Sequence, residues 1–309
     1  MFNKTALRTI VATAFLAAPG AVLAEGATSL LARFQQIGFV EDTGAAIRIE
    51  AGDALRTISQ EVPAAVCHLH NGVAPEMSAK LLREGLDNFD VMADALLNGN
   101  PDFGIIGGEQ RAKTRRLIEE VKVSWAPLKE AGEQVLANPA DESAVEVLYS
   151  TASDMLDQTY YLLSELEGEY ANPVELLYSD ALLLEVAGRQ SMLSQRISFL
   201  GCLVWSGAAD ETYIDLLNTA AGQFKFGMAA MQNGAPELGI QPPPTPEIAA
   251  KLEYMSSDFD VISGHLVTIM ETGALAPDNA ETLYEILADK MYTMNDVAHL
   301  YAIYSKRVY

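Results

Sequence analysis

The sequence predicts an all-helical protein built as two tandem antiparallel four-helix bundles, the second a copy of the first displaced by 135 residues. Three observations predict this. Laid on itself with a shift of 135, the 309-residue chain gives sixteen identities between residues 50 and 105 without a gap, where chance gives a few. Apolar residues recur at helical spacing over long stretches, and no comparable length alternates with the period of two that a strand requires. Glycine and proline then cut each copy into four segments of helical length, and long helices joined by short loops pack as antiparallel bundles.

The identities that carry the repeat are Ser59-Gln60 on Ser194-Gln195, Cys67 on Cys202, Gly72 on Gly207, Leu81-Leu82 on Leu216-Leu217 and Phe89 on Phe224. The tract from Asn98 to Ile105 falls on Asn233 to Ile240, and Leu148-Tyr149 meets Leu283-Tyr284. The predicted helices of the first copy cover about 44–71, 76–97, 108–137 and 141–169. Pro63 and Pro127 are expected to kink the first and third of these. In the second copy helices are expected at 174–206, about 210–232, 246–272 and 278–306. Gly207, the Asn233-Gly234-Ala235-Pro236 turn, the Pro242-Pro243-Pro244 stop and Gly273 with Pro277 separate them. The units divide as 25–170 and 171–309, with the boundary between Gly168 and Pro173.

Residues 1–24 read as a signal peptide. Lys4 and Arg8 precede a ten-residue apolar run, Pro19-Gly20 ends it, and Val22 and Ala24 are the small residues a signal peptidase accepts. Cleavage there implies a periplasmic protein that does not span the membrane, in a compartment where disulfides persist. The alternative is a membrane anchor formed by the same segment left uncleaved. Forty-two acidic against twenty basic residues, a net charge of −22, oppose binding to nucleic acid or to anionic lipid. Two cysteines exclude a disulfide-dense scaffold and a four-cysteine zinc site.

The stretch from Glu185 to Arg196, EVAGRQSMLSQR, resembles the opening-helix signature of the PilJ-type sensor domain of type IV pilus methyl-accepting chemotaxis transducers. The NarX-type nitrate sensors carry a similar box. Ten of twelve positions agree, and Glu50 to Glu61, EAGDALRTISQE, is an eroded copy in the first unit. The resemblance implies a four-helix module that binds a small anion, nitrate or nitrite first, where two opening helices meet, with no cofactor. It also implies a membrane or periplasmic signalling partner, since a second span and signalling coiled coil like the transducers' are not expected in this sequence. A duplicated chain would build that pairing internally.

On this resemblance the ligand-binding residues would be Arg56, Arg189, Arg48, Gly52, Gly188, Ser194, Gln195 and Arg196. Guanidinium offers a planar fork to a planar oxyanion, and a helical glycine lets a ligand or a neighbouring chain come close. The site would be asymmetric. Arg56 has Ser191 as its counterpart, Arg189 has Ala54, and the family's leading Asn is replaced by Glu50 and Glu185. Gly188, Ser194 and Gln195 read equally as residues of helix packing. Paired opening helices would bring Cys67 and Cys202 together, as a disulfide or as two buried thiols.

Cys67-His68-Leu69-His70 places only two ligand types on one helical face, so the expectation is histidines at the surface or a helix end and no metal site. No nucleophile elbow, phosphate loop or metalloprotease helix is present, and the chain is not expected to be an enzyme. The rival to a ligand sensor is a ligand-free helical scaffold that docks on another exported protein.

Overall fold

The computed structural model describes residues 44–171, 178–209 and 211–307. The expected signal peptide lies outside the described residues, as do Asn172 and Pro173 of the predicted unit boundary. The protein is all-helical. In chain order the α-helices are α1 (Ala45–His70), α2 (Pro75–Asn98), α3 (Ala112–Ala137), α4 (Glu142–Tyr170), α5 (Tyr178–Trp205), α6 (Glu211–Asn233), α7 (Pro246–Ser256), α8 (Phe259–Thr272) and α9 (Pro277–Arg307). Among the described residues no helix is long and apolar enough to cross a membrane.

Local chemistry explains most of these limits. Pro75, Pro246 and Pro277 open their helices, where a missing N–H costs nothing. Asp141 and Thr245 cap α4 and α7 by accepting from the backbone N–H of Ala144 and Ile248. Helix α1 runs unbroken through Pro63. The carbonyl that the proline cannot bond is that of Ser59, and it accepts from Gln60 Nε2 at 3.0 Å instead.

Two predicted helices differ from expectation. The segment 246–272 is interrupted at Ser257-Asp258 and becomes α7 and α8. Asp258 turns its carboxylate to Lys290 Nζ of α9 at 2.6 Å, beside the cation's contact with the carbonyl of Tyr254. Helix α3 begins at Ala112 rather than near residue 108. Gly107 adopts φ +75° and Gly99 lies so close to it that any side chain on Gly99 would strike its backbone, and residues 99–111 form a folded-back connection outside the α-helices.

Local geometry recurs at a shift of 135. The short 3₁₀ turns Pro101–Phe103 and Pro236–Leu238 are each followed by a left-handed glycine, Gly104 and Gly239. Each is closed by an isolated bridge, Asn100 with Ile105 and Ala235 with Ile240. The ends of α1 and α5 are alike, Val73 N donating to His68 O and Ala208 N to Leu203 O.

The most extensive helix contact is between α1 and α5. Helix α1 also packs on α2 and α4, and α5 on α6 and α9, so both opening helices are central. Every residue of α1 from Ala45 to Leu69 is buried except Glu50. The apolar clusters interlace across this seam. One joins Ile49, Ala64 and Ala152 to the core around α5, and the other joins Ala280, Tyr284 and Ala288 of α9 to the core around α1.

Candidate functional site

Along the α1–α5 seam, residues related by the 135-residue shift meet one another. Cys67 and Cys202 are disulfide-bonded with their Cα atoms 6.2 Å apart. Farther along, Asp53 of α1 presses into Gly188 of α5, its own counterpart, where a β-carbon would overlap the aspartate carboxylate. Glycine is required there because a side chain from the other helix fills the space.

Two of the three arginines of the opening boxes, Arg56 and Arg189, converge at this point. Arg56 is fully buried, and its Nη2 donates to Asp53 Oδ1 at 2.5 Å. Its Nη1 lies 3.4 Å from Glu185 Oε1 across the seam. The same oxygen accepts from Arg189 Nε at 2.8 Å and Nη2 at 2.5 Å. Glu185 is thus held between one guanidinium from α1 and one from α5, and the Tyr160 ring lies 5.8 Å from the Arg56 guanidinium carbon. Among the described residues Arg56 Nε and Glu167 Oε1 are buried without a hydrogen-bond partner.

Carboxylates outnumber cations here. Burial pushes the Asp53 carboxyl well above its ordinary range, with Arg56 opposing and Glu185, Glu167 and Glu50 adding to the rise. Burial and the neighbouring Glu185 raise Glu167 to about 7, against the pull of Arg56 and Arg189. Burial works against the charge on Arg189, but Glu185 together with Tyr160 and Glu167 holds the guanidinium above its usual value. Glu50 turns away toward His299 Nδ1 of α9, at 3.4 Å.

The remaining sequence candidates lie elsewhere. Arg48 does not support Arg56. Its Nη2 donates to the carbonyl of Gly107 at 2.6 Å and its guanidinium lies over the Tyr170 ring, so it fastens the α2–α3 connection. Gly52 faces Leu163 and Leu166 of α4, not the seam. The two Ser-Gln pairs have matching tasks. Ser59 and Ser194 donate to the carbonyls of Arg56 and Ser191. Gln60 and Gln195 donate to Ala152 O of α4 and Leu287 O of α9. The serine bonds stay within their own helices, and the glutamines tie α1 to α4 and α5 to α9. Arg196 Nη1 crosses the seam to Gln60 Oε1 at 3.1 Å, and burial lowers its proton affinity against the pull of Asp157.

His68 is not at the surface. It is 3% exposed, stacks on Tyr284 with ring centroids 3.8 Å apart, and its Nε2 lies 3.1 Å from Ser198 Oγ. Burial lowers its pKa to about 3, against the contact with Ser198, so it is a neutral packing element. His70 reaches the carbonyl of Pro139 at 2.7 Å. Among the described residues no group of three or more His, Cys, Asp and Glu is placed to hold a metal ion.

Asp53, Glu167 and Tyr284 were not among the sequence candidates. Asp53 had a signal. A carboxylate stands at the repeat position of a helical glycine, the pattern of a knob facing its hole. Glu167 had none, because only the packing of α4 brings it to this point.

Comparison of the chain with protein-family models and with curated proteins returned no match.

Proposed function

We propose that the chain is an exported, non-catalytic binding module of the PilJ/NarX type. In this reading an ancestral four-helix unit was duplicated, and the opening helices α1 and α5 form inside one chain the pair that two subunits would otherwise supply. Its ligand is a small planar oxyanion, nitrate or nitrite first, taken at the Arg56–Arg189 pair, and it signals through a membrane or periplasmic partner. The observation that carries this is the meeting of Arg56 and Arg189 on one carboxylate across the seam. A pair of guanidinium forks that holds a carboxylate has the shape and charge to hold nitrate. The Cys67–Cys202 bond supports residence in an oxidising compartment. Ligand binding would act by favouring one packing of α1 against α5 over another.

The test is thermal unfolding of the full chain titrated with nitrate, nitrite and chloride at matched ionic strength. The reading expects a saturable rise with nitrate or nitrite that chloride does not produce and that Arg189→Ala removes. Arg189 is the informative variant, being partly exposed, whereas Arg56→Ala would remove the buried hydrogen-bond partner of Asp53 and disturb the seam itself.

A second reading has its own observation. Asp53 and Glu185 already occupy both arginines, as expected of a ligand-free scaffold whose polar seam fixes the register of two helices. The absence of a shift with any anion, together with capture of an exported partner by the intact protein, favours that reading.

A further inference from the structure

We propose that Glu185 is a tethered ligand: its carboxylate occupies the two-arginine clamp as a resident oxyanion, and a free planar oxyanion binds only by displacing it. This rests on the reading of the α1–α5 seam as the ligand site, and it names what controls that site.

The geometry separates Glu185 from the other acids. Asp53 is enclosed, seated on the backbone of α5 at Gly188 and bonded to the fully buried Arg56, so it is a fixed partner of that arginine. Glu50 of α1 is directed to His299 of α9. Glu167 of α4 is close enough to both arginines to feel their charge, but no bond from either reaches it among the described residues. Glu185 alone is bonded by both guanidiniums, and one of them, Arg189, has a side chain 39% exposed. The clamp therefore opens to solvent on the Arg189 side and is closed on the Asp53 side. Arg56 also retains a buried Nε–H without an acceptor among the described residues, a donor that a second oxygen could use.

The tether sets the selectivity. A carboxylate on the same helix, four residues from Arg189, competes at an effective concentration in the millimolar range or above. An incoming anion must match the planar fork and exceed that concentration. Formate, acetate and nitrate share the shape of the resident group, whereas chloride shares only its charge.

The experiment uses the purified full chain, oxidised, as wild type, Glu185→Ala and Glu185→Ala/Arg189→Ala. Melting temperature is followed against formate, acetate, nitrate and chloride at matched ionic strength. Glu185→Ala should melt below wild type and recover saturably with each planar oxyanion and not with chloride. Half-saturation should come at a concentration at least about tenfold lower than any wild-type response. The double variant should not recover. A Glu185→Ala protein that ignores all three anions, responds equally to chloride, or responds equally without Arg189 overturns the proposal. If Glu185→Ala does not fold, Glu185→Gln keeps the volume and removes the charge, and the same outcomes decide. The two readings fail separately. A silent wild type beside a responsive Glu185→Ala keeps the tethered ligand and removes the nitrate sensor. A responsive wild type that Glu185→Ala does not improve does the reverse.

Discussion

Gly188 has no room for even a methyl group, because its counterpart Asp53 already stands there. Gly188→Ala should therefore cost about 1–3 kcal/mol of stability, read by chemical denaturation, since neither the α5 backbone nor the bonded aspartate can yield freely. Gly222 on α6 is the opposite case. A β-carbon added there would meet nothing within 4 Å, and Gly222→Ala should gain about 0.5–1 kcal/mol by helix propensity alone. Glu61 gives a prediction in pH. Burial, with Glu84 adding, raises it from 4.5 to about 8, so the folded state holds a proton that the unfolded chain releases above 4.5. Its contribution is complete below 4.5 and is lost as pH rises through about 8. Glu61→Gln should thus unfold at a higher temperature than wild type at about pH 8.5, and the difference should vanish near pH 4.5. His68 has the opposite slope. Its folded value of about 3 lies below the ordinary 6.5, so its contribution is lost as pH falls below about 6.5. At this scale the sequence was partly legible. The family resemblance singled out Gly188, Arg56 and Arg189, but Arg48 and Gly52, named with them, lie on the helix of Arg56 and face other partners, a distinction of azimuth that a motif match does not carry.

Helix ends were legible wherever proline, glycine or a capping oxygen marks them, as at Pro75, Asp141 and Gly273. The break between α7 and α8 was not, because Ser257-Asp258 holds neither proline nor glycine and the cause is Lys290, over thirty positions away on α9. The same distance effect delayed α3. Glu109 is buried, accepts from the backbone N–H of Gln110 and Arg111 and from Tyr170 Oη, and so holds the chain in the connection. Between elements, the Cys67–Cys202 bond joins α1 to α5 across a sequence separation of 135. Replacing both cysteines by alanine should lower stability by about 2–5 kcal/mol, measured by denaturation of the oxidised wild type against the double variant.

The two cores do not separate along the chain. Residues of α1 and α4 belong to the apolar cluster around α5, and residues of α9 belong to the cluster around α1. Calorimetry should accordingly show one cooperative transition, with calorimetric and van't Hoff enthalpies in agreement, and two resolved transitions would contradict it. Periodicity made the all-helical class readable at this scale, because long amphipathic segments announce themselves. The interlacing was not readable, since each unit's pattern describes what its own helices bury and says little about a helix buried on every side, as α1 is.

The disulfide also turns residues 67–202 into a closed covalent ring from which the rest of the chain departs. A protease that cuts once anywhere between those two positions opens the ring without dividing the molecule. The nicked protein should migrate as a single full-mass species until reductant is added, and only then as two fragments.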